Sequence, residues 1–144
     1  MPAGEHIRWA GYRKALADVP QAEETALVAS VLTDPDQVIA EAAVSEHIER
    51  RATALLRCQG FAEWAARVAP VVDGHPFLTQ RLQEWALLRA ITRTEPWSPA
   101  ALLTASDYLQ RLVTTHTDCP EALTLLAESG KTRRIRTTAK AKIS

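Results

Sequence analysis

The residues with chemistry to offer in this 144-residue chain are four histidines, two cysteines and one run of arginines and lysines. His47 stands beside Glu46 and near Glu49, the only place where an imidazole and carboxylates gather along the sequence. On one helix that grouping needs partners from elsewhere before it can hold a metal or move a proton. Glu46 and Arg50 lie one turn apart, so the plainer expectation is a solvated face with an i,i+4 ion pair. His75 precedes Pro76 where a helix should begin. His6 and His116 fall near helix ends, His116 where it favours a C-terminal dipole. Cys58 and Cys119 make no CxxC or CxxH spacing and are expected as two small buried hydrophobes.

Phosphate-cradling glycine loops, HExxH, GxSxG and EF-hand patterns are all missing from the chain, and its five glycines are isolated. The reading is therefore of a non-enzymatic protein, with no catalytic, metal or cofactor-binding residue assigned. A catalytic centre built across helices would fall around Glu46, His47 and Glu49, or around Asp107 and Tyr108.

Charge is balanced overall but unevenly placed. Residues 131–144 hold Lys131, Arg133, Arg134, Arg136, Lys140 and Lys142 without an acid, while the remainder carries 11 basic and 17 acidic side chains. Only this tail can attract a polyanion. If it is helical, Ile135, Ala139 and Ile143 dock at i, i+4 and i+8, leaving Arg133, Arg134, Arg136 and Lys140 to meet phosphates, a membrane surface or an acidic partner, the plainer expectation being a solvated capping helix. Trp64 and Trp85 sit in apolar stripes and belong in the core. Trp97, between Pro96 and Ser98-Pro99, lies in a connection and is the better placed for exposure at an interface, with folding back to plug the end of the core as an equal alternative.

These residues need positioning, and the composition says by what. The 25 alanines and the many leucines favour helix, and strand formers are sparse. Prolines and glycines mark helices over about 5–18, 21–33, 35–57, 61–72, 76–93, 99–116 and 120–129, with a last basic helix over about 132–143. Asp34-Pro35-Asp36-Gln37 reads as a cap with Asp34 as the capping residue, and Asp118-Cys119-Pro120-Glu121 as another. Val38, Ala42, Ser45, Ile48, Ala52 and Leu55 form the expected inner stripe of the third helix. The length suits a single helical domain over 1–144, with 131–144 its basic C-terminal helix or tail.

Helix starts recur roughly every 40 residues, the period of HEAT and armadillo arrays. Asp34-Pro35-Asp36-Gln37-Val38 with Ala42-Ala43 resembles the turn and inner-helix start of a HEAT repeat. Leu125-Leu126-Ala127 followed by Arg133-Arg134-Ile135-Arg136 and Ala139 resembles a second. Where the family has an early Val-Arg pair, Ile39 occupies the first Arg position. The resemblance implies an all-α, right-handed α-α superhelix of about three helix pairs plus terminal helices; a compact irregular bundle is the alternative. It also implies a scaffold or adaptor role, binding a protein or peptide on a helical surface. Nucleic-acid binding through the basic C-terminal helix is the second expectation.

The first five residues lack a basic-then-apolar leader and position 2 is not glycine, so neither secretion nor myristoylation is expected. No apolar run reaches the roughly 18–20 residues of a membrane span. A cytoplasmic location follows as the expectation. Arginine outnumbers lysine thirteen to four, which together with the alanines points to a high-GC bacterial source.

Overall fold

A computed structural model of the chain describes residues 3–144; the leader and acylation expectations at Met1 and Pro2 lie outside the described residues. Among the described residues the fold is all-α: nine α-helices, one turn of 3-10 helix and no strand. No helix among them is long and apolar enough to cross a membrane. The chain divides into two compact units, Met1–Leu82 and Gln83–Ser144.

The first unit holds α1 (Ala3–Asp18), α2 (Glu24–Val31), α3 (Gln37–Leu55), α4 (Phe61–Val72) and the first residues of α5 (Pro76–Thr92), with the 3-10 turn at Gln21–Glu23. α1 packs on α2 and α3, and α2 on α3 and α4. Its core is Leu16, Val28, Val31, Ile39, Val44, Ile48, Phe61, Trp64 and Val68.

The boundary before α3 differs from the sequence expectation. Asp36, not Asp34, is the N-cap, and its Oδ1 accepts from the amides of Val38 and Ile39. Asp34 instead turns inward, where Oδ2 accepts from the Tyr12 hydroxyl at 2.6 Å and meets Arg8 Nε at 3.2 Å. Gln37 donates to the carbonyls of Leu32 and Asp34 and seals the C-terminus of α2. The inward face also differs in part: Val38 is 79% exposed, while Ile39, Ala40, Ala43, Val44 and His47 join the expected Ile48 and Ala52 inside. Ala42 is exposed as well.

The second unit holds the rest of α5, then α6 (Pro99–Thr104), α7 (Asp107–His116), α8 (Pro120–Ser129) and α9 (Arg133–Ile143). α6 packs on α8, and α7 on both α8 and α9. Where one helix was expected over 99–116, Ala105 and Ser106 are extended, with ψ near 160°. Ser106 explains the break, since its Oγ caps Leu109 N and its own amide donates to Glu84 Oε2 at 2.9 Å. A side chain that satisfies the backbone outside a helix competes with helix continuation.

Two other expectations are corrected. Cys119 is the N-cap of α8 but makes no side-chain cap bond. Cys58 is exposed and Cys119 half-buried, both as free thiols rather than core hydrophobes.

The turn between α8 and α9 needs a glycine for space. A Cβ on Gly130 would stand 2.6 Å from Leu126 O and 2.7 Å from Ile135 Cγ2. Gly130→Ala is expected to push α9 from α8 and to cost about 1–3 kcal/mol of unfolding free energy, read by urea titration.

Candidate functional site

Three places concentrate polar chemistry, and each begins from a local feature of its helix. The first is a buried cluster in the first unit. Glu24 belongs to the same face of α2 as Val28 and Val31, so its carboxylate is carried inward. There Oε2 accepts from His47 Nε2 at 2.7 Å, Arg51 Nε at 3.0 Å and Trp64 Nε1 at 3.0 Å. Arg50 donates to His47 Nδ1 at 2.9 Å. A guanidinium cannot accept, so Nδ1 is the lone-pair nitrogen and Nε2 carries the proton.

His47 is thus neutral: burial, the largest influence, and the nearby Arg50 and Arg51 lower its pKa against the pull of Glu24. Burial raises the Glu24 pKa, but the bonds from Trp64, Arg51 and His47 outweigh it and leave the carboxyl below its ordinary value. A cavity of about 140 Å³ borders the cluster, lined by Leu16, Val19, Gln21 and the charged groups. Both imidazole nitrogens are engaged, so the arrangement holds three helices together and leaves no free base.

Sequence spacing missed this cluster because Glu24 lies 23 to 40 residues from His47, Arg51 and Trp64. The available signal was a glutamate in an apolar stripe. The expected Glu46–Arg50 pair does not form: Glu46 meets Arg13 at 2.7 Å, and Arg50 turns to His47. Glu49 is exposed. Asp107 is exposed and Tyr108 half-buried, so the second acid grouping does not gather in the core either. Among the described residues no three His, Cys, Asp or Glu side chains converge as metal ligands.

The second place is a groove at Trp97. α5 ends with Thr94 at φ 55°, its amide donating to Ile91 O and that of Glu95 to Ala90 O. This is a Schellman closure with threonine where glycine is usual. Glu95 is tied back to Arg89 at 3.0 Å. The chain then crosses to Ser98, whose Oγ caps Ala101 N at the start of α6. Trp97 is left half-buried. It lines two adjoining hollows of about 560 and 420 Å³ with Pro99, Pro120 and Glu121. Cys119 borders the first and Leu125 the second.

The third place is α9. Ile135 and Ala139 are buried, while Ile143 is 46% exposed and does not dock as expected. Not all of the tail's cations are available. Arg136 donates to Gly130 O at 2.8 Å. Lys142 donates to Thr114 O at 2.7 Å and Thr117 O at 3.0 Å, capping the end of α7. Arg133, Arg134 and Lys140 are exposed.

The sequence matches no known protein family, no curated protein and no solved structure.

Proposed function

We propose that this chain is a non-enzymatic interaction module or adaptor that receives a protein or peptide segment in the Trp97 groove. The observation that carries the reading is a half-buried tryptophan, three residues after a left-handed threonine, lining a hollow of about 560 Å³ walled by prolines. Aromatic anchors in such hollows dominate binding energy at interfaces. Glu121 on the wall gives the groove a negative edge, so the segment that suits it places an apolar residue beside a lysine or arginine.

The same reading takes the helices as a short HEAT-like array. Its support is that several helices pack on their second neighbour, α1 on α3 and α2 on α4 in one unit, α6 on α8 and α7 on α9 in the other, alongside adjacent pairs such as α8 and α9. Two free thiols suit a reducing, cytoplasmic compartment. Nucleic-acid binding through α9 is the weaker reading, because Arg136 and Lys142 are already committed to backbone carbonyls.

Selection of a random displayed peptide library on the full chain tests the proposal. Enriched peptides should share an apolar residue next to Lys or Arg, and Trp97→Ala should weaken them at least about tenfold. Peptides that bind the Trp97→Ala chain equally well, or no enrichment at all, would refute it.

A further inference from the structure

We propose that the cleft between α7 and α9 is a binding site for the phosphate group of a small ligand, inorganic phosphate or a phosphate monoester. The site is separate from the Trp97 groove and does not depend on that reading. Each helix presents an arginine and, one turn later, a threonine: Arg111 and Thr115 on α7, Arg134 and Thr138 on α9. Together with Thr114 and Ile135 these residues line a hollow of about 280 Å³ in which no lining residue is acidic.

Both guanidiniums are exposed, and among the described residues neither meets a carboxylate within ion-pair distance. Two cations facing one hollow repel each other, and the energy falls when a dianion sits between them. A guanidinium offers paired N–H donors that match the oxygen spacing of a phosphate. Thr138 adds a hydroxyl, while those of Thr114 and Thr115 are turned to Arg111 O at 2.7 and 3.1 Å.

The start of α9 points the same way. Helix N-termini favour negative charge, yet the first turn of α9 holds Arg133, Arg134 and Arg136 and no acid. An anion at Arg134 would offset this inverted arrangement. A small ligand fits better than a nucleic acid: the hollow presents two cations, and neither Arg133 nor Lys140 lines it. None of its residues is aromatic, so nothing there would stack on a base.

The test is an NMR titration of the full chain with inorganic phosphate and separately with glycerol 3-phosphate, at constant ionic strength against chloride. Saturable shifts should appear at the amides of residues 111–115 and 134–138, with dissociation constants on the order of millimolar. Arg111→Gln and Arg134→Gln should each weaken binding roughly fivefold or more, whereas Arg133→Gln should stay within about twofold. Tighter binding of the ester would assign the site to a phosphorylated small molecule, and equal binding to phosphate itself. The proposal fails if neither probe saturates, or if the two glutamine variants bind as the parent does. It fails equally if a single-stranded oligonucleotide binds through these arginines while both small probes do not.

Discussion

Replacing Glu24 with alanine should lower the unfolding free energy by about 3–5 kcal/mol, because it strands two buried N–H donors and takes the partner from a half-buried arginine at once. Arg51, His47 and Trp64 all lose their acceptor, and Glu24 itself is only 2% exposed, so water cannot readily replace it. Thermal denaturation followed by circular dichroism should show the midpoint falling by roughly 10 °C or more. A change of a degree or two would mean that the cluster contributes little.

The same cluster sets a pH dependence whose sign is fixed by its geometry. His47 has a lower pKa folded than its ordinary 6.5, so the unfolded chain takes up the proton first. Stability is therefore full above that value and declines as pH falls through it, by at most about 1.4 kcal/mol per pH unit for one proton. Glu24, lowered from 4.5, adds a second loss at more acidic pH, where the unfolded carboxylate protonates first. Urea titrations of His47→Gln should lose the upper limb of this decline and keep the lower one.

Gln110→Leu should cost the second unit about 1–3 kcal/mol for a related reason. The Gln110 side chain is fully buried and donates to Leu102 O at 2.9 Å, while its Oε1 accepts from Lys131 N at 2.8 Å. One amide thus holds the end of α6 and the turn before α9. Leucine fills the volume but leaves Lys131 N without its acceptor and strips Leu102 O of one of its two donors, the Ala105 amide at 3.3 Å remaining. Hydrogen exchange at the Lys131 amide should accelerate along with the global loss; unchanged protection there would contradict this account.

Much of the helix layout was legible because prolines and glycines act locally. Gly60, Gly74, Pro76, Pro99 and Pro120 punctuate the chain as their backbone chemistry requires, and Gly74 takes the positive φ of 92° that its turn demands. The apolar repeats in α4 and α5 also found Phe61, Trp64, Leu78 and Trp85. Failures came where a polar side chain chose between partners of similar local merit. Asp34 and Asp36 are both good caps, and the choice was made by Tyr12, 22 residues away. Ser106 looked like one more residue of a helical stripe until Glu84 offered its amide an acceptor.

The candidate sites were less legible still, since each joins segments that spacing cannot relate. Trp97 and the tail arginines stood out by type. Their surroundings did not: Pro120 and Leu125 beside Trp97, and Arg111 across from Arg134, come together through the packing of α6, α7, α8 and α9. A hint did exist in the repeated arginine-to-threonine spacing of four at 111–115 and 134–138.

The position of Cys119 gives the Trp97 groove a chemical handle of its own. Cys119 is a half-buried free thiol on the wall of the groove, and the other cysteine, Cys58, is exposed after α3, its thiol donating to Ala54 O. With Cys58 changed to serine, an environment-sensitive dye attached to Cys119 reads out a single place on the surface. Its emission would shift to the blue when an apolar residue fills the hollow, so the chain can serve as the sensor for its own occupant.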